Sequence, residues 1–210
     1  EVQAGRIKKL GFSFHSSFED FRYILHSRAW DFCQIQYNWL DIEEQAGRAG
    51  YELATEHGIP VIVMEPIKGG ALLSLPPHLK EQVQQVAKED SIAALSLRWV
   101  AEHRNVPVIL SGMSTRQQVR ENLETFNSPK PLTEVERSTL DAIGQTMRDR
   151  VGNGCTGCKY CMPCPFGVDI PGNFALWNKA RMFDAYEVVR SQWENPKEND
   201  KRPLSCTECG

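Results

Sequence analysis

Short apolar runs alternate with amphipathic stretches over residues 7–126. Ile7 to Phe12 reads as a strand, and Phe18, Phe21, Ile24 and Leu25 fall on one side of a following helix. Phe32 to Tyr37 is a second strand. Asp41 is placed to cap a helix running to about His57, and Gly58 stands where a helix stop belongs. Pro60 to Met64 is a third strand around the β-branched Val61-Ile-Val. A helix-rich insert covers Leu79 to Glu89, and Ser91 caps an apolar helix with Ile92, Leu95, Trp99 and Val100. That stripe reads as core. Val106 to Leu110 is a fourth strand, and Ser114 or Thr115 opens a helix reaching Phe126.

Four βα units in a row predict a parallel sheet covered by helices. Thr133-Glu-Val-Glu136 is a capping box ahead of Leu140, Ile143 and Met147, and Gly152-Asn-Gly154 ends that helix. Phe174 to Trp193 reads as one or two further helices, with Trp177, Met182, Phe183, Tyr186 and Val189 available to pack. Lys197 to Arg202 is polar and reads as exposed. The pattern sets a domain boundary at 150/151: residues 1–150 form the sheet domain, and 151–210 a small, mainly helical one.

The cysteines change the picture most. Cys155, Cys158, Cys161 and Cys164 follow one another at two-residue gaps, and Pro165 follows the last. Three thiolates so spaced hold three corners of an iron–sulfur cube. In the bacterial ferredoxin run, C-x2-C-x2-C-x3-C-P, the last cysteine serves a second cluster. This chain departs from that run by one residue in the final gap. A second start, Cys206-Thr-Glu-Cys209-Gly210, closes the sequence. A zinc site built from Cys155/Cys158 and Cys206/Cys209 is the weaker alternative, because it leaves Cys161 and Cys164 idle. A disulfide framework is weaker still, since it suits small secreted chains. Cys33, in an apolar run, reads as a buried small side chain.

Charge narrows the partners. The net charge of −3, with both signs interspersed over 210 residues, favours neither a nucleic-acid face nor a membrane surface. No apolar run approaches the ~20 residues of a membrane span. Reduced cysteines and no export signal point to the cytoplasm. Glu1 leads almost directly into an apolar run and Gly210 falls inside a cysteine motif, so both ends read as edges of a longer protein.

Several motifs resemble the aldo-keto reductase family. Leu10-Gly-Phe-Ser13, Cys33-Gln-Ile-Gln-Tyr-Asn38 and Val63-Met-Glu-Pro66 with Gly69-Gly70 are similar to strands five to seven of its barrel. Ser111-Gly-Met-Ser-Thr115 and Glu121-Asn122-Leu123 are similar to strand eight and its helix. The cysteine module resembles the family branch with a C-terminal ferredoxin-type domain, here truncated at its end. The implied fold is α/β: the second half of a (β/α)8 TIM barrel followed by a ferredoxin-like domain.

Such a barrel needs eight strands. The resemblance puts the catalytic Asp, Tyr, Lys and His in the missing half, so no catalytic residue is assigned in this chain. His15, His26, His57, His78 and His103 are read as structural or exposed, with His15, in a strand-end loop, kept open. The resemblance implies a nucleotide site in the present half. Ser13 and Gln34 match positions that hold the nicotinamide carboxamide, and Met64 replaces the aromatic that stacks on the ring. Ile67 and Gly69 match positions near the pyrophosphate, and Glu121 and Asn122 the pair that holds adenine. Gly69-Gly70 allows close backbone approach to an anion, and the helix after Ser114 is expected to offer free amides.

Two departures bear on the cofactor. The usual serine–asparagine pair reads Ser13-Phe14. The lysine and arginine positions for a 2′-phosphate read Gly112 and Gln118, with Arg116 and Arg120 near enough to substitute. NAD, NADP and flavin therefore stay open. The expected cofactors are NAD(P) and 4Fe-4S clusters, two in the whole protein. The expected partners are a small carbonyl or alcohol substrate and a redox partner protein. The metal ligands would be Cys155, Cys158, Cys161, Cys164, Cys206 and Cys209. The rival reading is a non-catalytic barrel scaffold whose cysteines carry an electron-transfer or regulatory function, and a third is a zinc-stabilised interaction module.

Overall fold

The computed structural model of the chain describes residues 1, 4–87, 90–155, 157, 159–194 and 203–209. Cys158, Lys88-Glu89, Gly210 and the polar stretch 197–202 lie outside the described residues. The described chain forms two compact units, Glu1–Ala142 and Ile143–Gly210.

The first unit holds a four-stranded parallel sheet in sequential order: β1 (Gly11–Ser13), β2 (Phe32–Gln36), β3 (Val61–Met64) and β4 (Val108–Ile109). Its helices are α1 (Phe18–His26), α2 (Gly47–Glu56), α3 (Pro77–Val86), α4 (Ile92–Ala101) and α5 (Arg116–Asn127), with a 3-10 segment at Lys68–Ser74. α6 (Glu134–Asp149) runs across the division between the units. The packing division thus falls inside a helix, whereas the sequence boundary at 150/151 follows its end.

Alternation along the strands explains the layers. Cys33, Ile35, Val61 and Val63 are fully buried on one face, while Phe32, Gln34, Gln36, Ile62 and Met64, on the other face, are half-buried. α2 packs against both β2 and β3, and α4 against β4. Burial pushes the Cys33 thiol up to about 12, so it is an inert core group as the sequence implies. The 92–100 stripe is core as expected: Leu95, Leu97, Trp99 and Val100 are buried.

Strand ends differ from the pattern. The first strand begins at Gly11, not Ile7, because pairing requires β2, which starts at Phe32 opposite Gly11. Ile7 is exposed. The fourth strand shrinks from 106–110 to Val108–Ile109, since it has a partner on one side only among the described residues. Helix signals were closer. Ser91 accepts from the Ala94 amide at 3.1 Å, and Thr133 and Glu136 form the expected box, with the Thr133 amide donating to Glu136 at 2.7 Å. Gly58 takes φ +65° and stops α2 as predicted. Asp41 is no cap; α2 starts six residues later and Asp41 is buried in a polar cluster.

In the second unit α7 (Ile170–Phe183) and α8 (Tyr186–Glu194) pack on each other, so the expected one or two helices are two. Asp184, left-handed at φ 51°, makes the turn between them. Asp169 caps α7 by accepting from Gly172. The segment entering the cysteine region is tied to α7. Asn178 Oδ1 accepts from the Gly152 and Asn153 amides at 2.9 and 3.2 Å, and its Nδ2 donates back to the Asn153 carbonyl at 3.0 Å. Gly152 is required there: a Cβ would meet the Trp177 ring nitrogen at 2.6 Å. Among the described residues no helix is long and apolar enough to cross a membrane.

Candidate functional site

Parallel strands deliver their carboxyl ends to one rim of the sheet, which is where ligands sit in barrels of this type. On the half-buried face at that rim, Gln34 Nε2 donates to Ser13 Oγ at 3.2 Å and lies 3.3 Å from Met64 Sδ. Register explains the grouping: Ser13 pairs with Gln34, and Met64 is two residues beyond Gln34's partner Ile62. Phe14 follows with its amide on the Gln34 carbonyl, but its ring turns into the core against Phe21. The Phe14 position therefore contributes apolar packing where the resemblance leads one to expect an asparagine.

A cleft of about 280 Å³ opens at the ends of β3 and β4. Ile67, Ser111, Gly112, Gln118, Glu121 and Asn122 contribute to its walls. Asn122 Nδ2 donates to Ser111 Oγ at 2.9 Å, anchoring α5 to the strand end, and Glu121 is exposed with one oxygen taken by Gln117. Next to it Lys68, Gly69 and Gly70 take successive positive φ values of 50°, 58° and 90°. The Lys68 and Gly70 amides donate to the Glu65 and Ile67 carbonyls at 3.0 and 2.9 Å, so these two are not free for an anion. A Cβ on Gly70 would meet open space, so its glycine serves the left-handed backbone and not a close neighbour.

The α5 terminus differs from expectation. The Ser114 and Thr115 amides both donate to Gln118 Oε1, at 2.8 and 3.1 Å, within a capping box. These amides are not free for an anion. Gln118 is committed to the backbone, and Arg116 and Arg120 on the same helix are exposed.

The polar cluster behind the glycine loop was not legible in the sequence. Lys68 Nζ donates to both Asp41 oxygens at 2.6 and 2.7 Å, and Gln36 and Asn38 donate to Asp41 Oδ2 at 2.7 and 3.1 Å. Asn38 also accepts from the Leu40 and Asp41 amides and donates to the Glu65 carbonyl at 3.0 Å. Asn38 thereby ties the end of β2 to the end of β3. The only sequence signal was a polar triplet, Gln36, Asn38 and Asp41, at a strand end facing Lys68-Gly-Gly.

The histidines bear out the structural reading in one case plainly. His103 packs among Tyr37, Tyr51 and Trp99 and its Nδ1 lies 2.9 Å from the Trp99 carbonyl. His15 is exposed.

A profile of the Aldo/keto reductase family matches residues 1–145. The chain belongs to the aldo/keto reductase family. Solved structures of aldo/keto reductases share its fold. Aldo-keto reductase AKR11C1 from Bacillus halodurans, in its holo form, is 22% identical with a TM-score of 0.53, over 67% of this chain and 51% of that one. Aldose reductase from Giardia lamblia is 16% identical with a TM-score of 0.52, over 69% and 47%. An aldo-keto reductase from Klebsiella pneumoniae in complex with NADPH is 20% identical with a TM-score of 0.52, over 68% and 50%. The chain spans about half the length of these structures. No curated protein matches it.

In the second unit, Cys155, Cys161, Cys206 and Cys209 are exposed and Cys164 is half-buried, all as free thiols. Among the described residues no three His, Cys, Asp or Glu side chains gather into a metal site. Cys158 lies outside those residues. The backbone around the thiols has a repeated form. Gly157 and Glu208 are the third residues of Cys155-Thr-Gly-Cys158 and Cys206-Thr-Glu-Cys209, and both are left-handed, at φ 70° and 55°. The Glu208 amide points at Cys206 Sγ at 3.4 Å.

Proposed function

We propose that this chain is the nucleotide-binding half of a carbonyl-reducing oxidoreductase joined to an iron–sulfur module. The observation that carries the reading is the convergence of Ser13, Gln34 and Met64 on one face of the sheet's carboxyl rim, beside a cleft walled by Ile67, Glu121 and Asn122. The NADPH complex of the Klebsiella relative supports a nicotinamide nucleotide as ligand.

Ser13 and Gln34 supply a hydroxyl and an amide to hold a carboxamide. Met64 supplies a soft apolar wall that keeps water from one face of the ring. The Ile67–Gly70 loop receives the diphosphate, and Glu121 and Asn122 take the adenine amine and ring nitrogen. Arg116 and Arg120 on α5 would serve a 2′-phosphate, because Gln118 is occupied by its own helix end. A bound NAD(P)H supplies the hydride. The proton donor belongs to the other half of the barrel, so these residues bind and orient and do not transfer protons. The substrate class is a small aldehyde, ketone or the corresponding alcohol.

Cys155, Cys158 and Cys161 would hold one 4Fe-4S cluster, and Cys164 with Cys206 and Cys209 three corners of another. Such clusters pass single electrons to a redox partner, in a reducing cytoplasm. The matched turns at Gly157 and Glu208 favour a second reading, a zinc site from the two C-x2-C pairs. Iron and sulfide analysis of anaerobically purified protein separates them: brown protein with about four irons and four sulfides per cluster supports the first. Stoichiometric zinc in colourless protein overturns it.

The nucleotide half is tested by titrating NADPH and NADH into the full-length protein and its Gln34→Ala and Asn122→Ala variants. Each variant should weaken binding about tenfold, the worth of one or two hydrogen bonds. Unchanged affinity in both would remove the assigned site.

A further inference from the structure

His26 and His57 take no part in the rim or the cysteine module. His26 closes α1, and His57 follows α2 as its C-terminal cap; the two helices pack side by side and bring the rings together at the surface. Their Nε2 atoms lie 3.2 Å apart, with ring planes at 79°. Each Nδ1 faces a carbonyl one turn back: Arg22 O at 2.7 Å for His26 and Leu53 O at 2.9 Å for His57.

A carbonyl oxygen only accepts, so both Nδ1 atoms carry the ring hydrogen. In neutral rings both Nε2 atoms are then bare lone pairs, and they point at each other. Two lone pairs at this distance repel unless a cation lies between them. A shared proton is one such cation, and a bound metal ion is another. Two metal–nitrogen bonds of about 2.0–2.1 Å at a tetrahedral angle set the nitrogens about 3.3 Å apart. The 3.2 Å separation accommodates such a bridge.

We propose that His26 and His57 form a surface site for a borderline divalent cation of the Zn²⁺, Ni²⁺ or Cu²⁺ class, held through both Nε2 atoms. Imidazole is the donor these ions favour. The Nδ1–H to backbone-carbonyl bonds fix tautomer and ring direction before the ion arrives, as outer-sphere bonds do for ligand histidines. His103 shows that such a bond alone makes no site: its Nδ1 also meets a carbonyl, but its ring is packed among aromatic faces. Among the described residues no third His, Cys, Asp or Glu joins the pair, so the other positions are open to water.

Zinc chloride titrated into the full chain, followed by ¹⁵N imidazole NMR, tests this without interference from the cysteines, because the readout is residue-specific. The Nε2 signals of His26 and His57 should shift together while both Nδ1 atoms stay protonated and the His15, His78 and His103 signals hold still. His26→Ala and His57→Ala should each weaken binding at this site about tenfold or more, as loss of one of two ligands requires. Nε2 signals that respond to pH but not to zinc would mean a shared proton and overturn the proposal. So would unchanged zinc affinity in folded His57→Ala. The wild-type spectrum decides the matter if a variant does not fold.

Discussion

The two units are held together differently. In Glu1–Ala142, strands and helices bury a contiguous set including Phe21, Ile35, Trp39, Leu40, Val63, Leu95 and Leu97. Several of its buried polar groups are paired: Trp39 donates to Ser96 at 2.9 Å, and buried Arg98 reaches Asp90, Glu136 and the carbonyls of Lys130 and Pro131. In Ile143–Gly210 large apolar side chains remain outside: Tyr160 is 97% exposed, and Phe174, Trp177 and Tyr186 are each about half exposed. A unit of that size seldom gains enough from its own core and commonly draws on a metal. The first unit positions its site through its core. The second, in the proposed reading, owes its core to its site.

The contrast is broken most directly by removing metal. Anaerobic protein treated with a chelator should lose amide protection across Ile170–Phe183 and Tyr186–Glu194, while β2 and β3 keep theirs. Retained protection in both helices would show that the second unit stands on packing alone. The converse perturbation is Trp39→Ala, which removes a fully buried ring and its hydrogen bond to the Ser96 hydroxyl, leaving that hydroxyl only its bond to the Ile92 carbonyl. It should cost about 3–5 kcal/mol in chemical denaturation and leave the metal content unchanged. A cost near zero would mean that the sheet unit does not depend on its core as described.

Asp41→Ala sharpens the link between core and site. It deprives Lys68, Gln36 and Asn38 of a shared acceptor. The loss should be about 2–3 kcal/mol, below the range for fully buried pairs because the Lys68 side chain is 30% exposed. Nucleotide affinity should fall with it, since Lys68 opens the glycine loop. Loss of stability with full affinity would separate the cluster from the loop.

The smallest expected effect is the pH response of the sheet unit. Burial holds the His103 imidazole below its ordinary 6.5. Below 6.5 the unfolded chain takes up a proton that the folded chain refuses, so stability falls as pH drops through this window. Burial would raise the Glu136 carboxyl, but hydrogen bonds from Thr133 and Arg98 outweigh it and hold the group below its ordinary 4.5. Its contribution is present above 4.5 and is lost as pH falls through the lower folded value. Urea midpoints at pH 7.5, 6 and 5 should decline, and His103→Gln should flatten the decline between the first two. A midpoint that rises toward pH 5 contradicts the His103 assignment.

The order of βα units, the helix starts at Ser91, Thr115 and Thr133, the stop at Gly58 and the family motifs were all written in local sequence. Each depends on a few neighbouring residues: a side-chain oxygen over an amide, a left-handed glycine, or an apolar period. Cysteine spacing was equally local, and so was its soft-donor chemistry. Where strands begin and end was not local, because a strand exists only where a partner offers hydrogen bonds; Ile7 has the propensity and, among the described residues, no strand partner. Asp41 shows the same limit. In sequence it resembles a helix cap, but folding carries it beside Lys68, 27 positions away, and makes it the hub of the rim. The facing Nε2 atoms of His26 and His57 also arise only from packing α1 on α2. Contacts between distant segments are set by which faces must leave water together, and only the tertiary structure decides that.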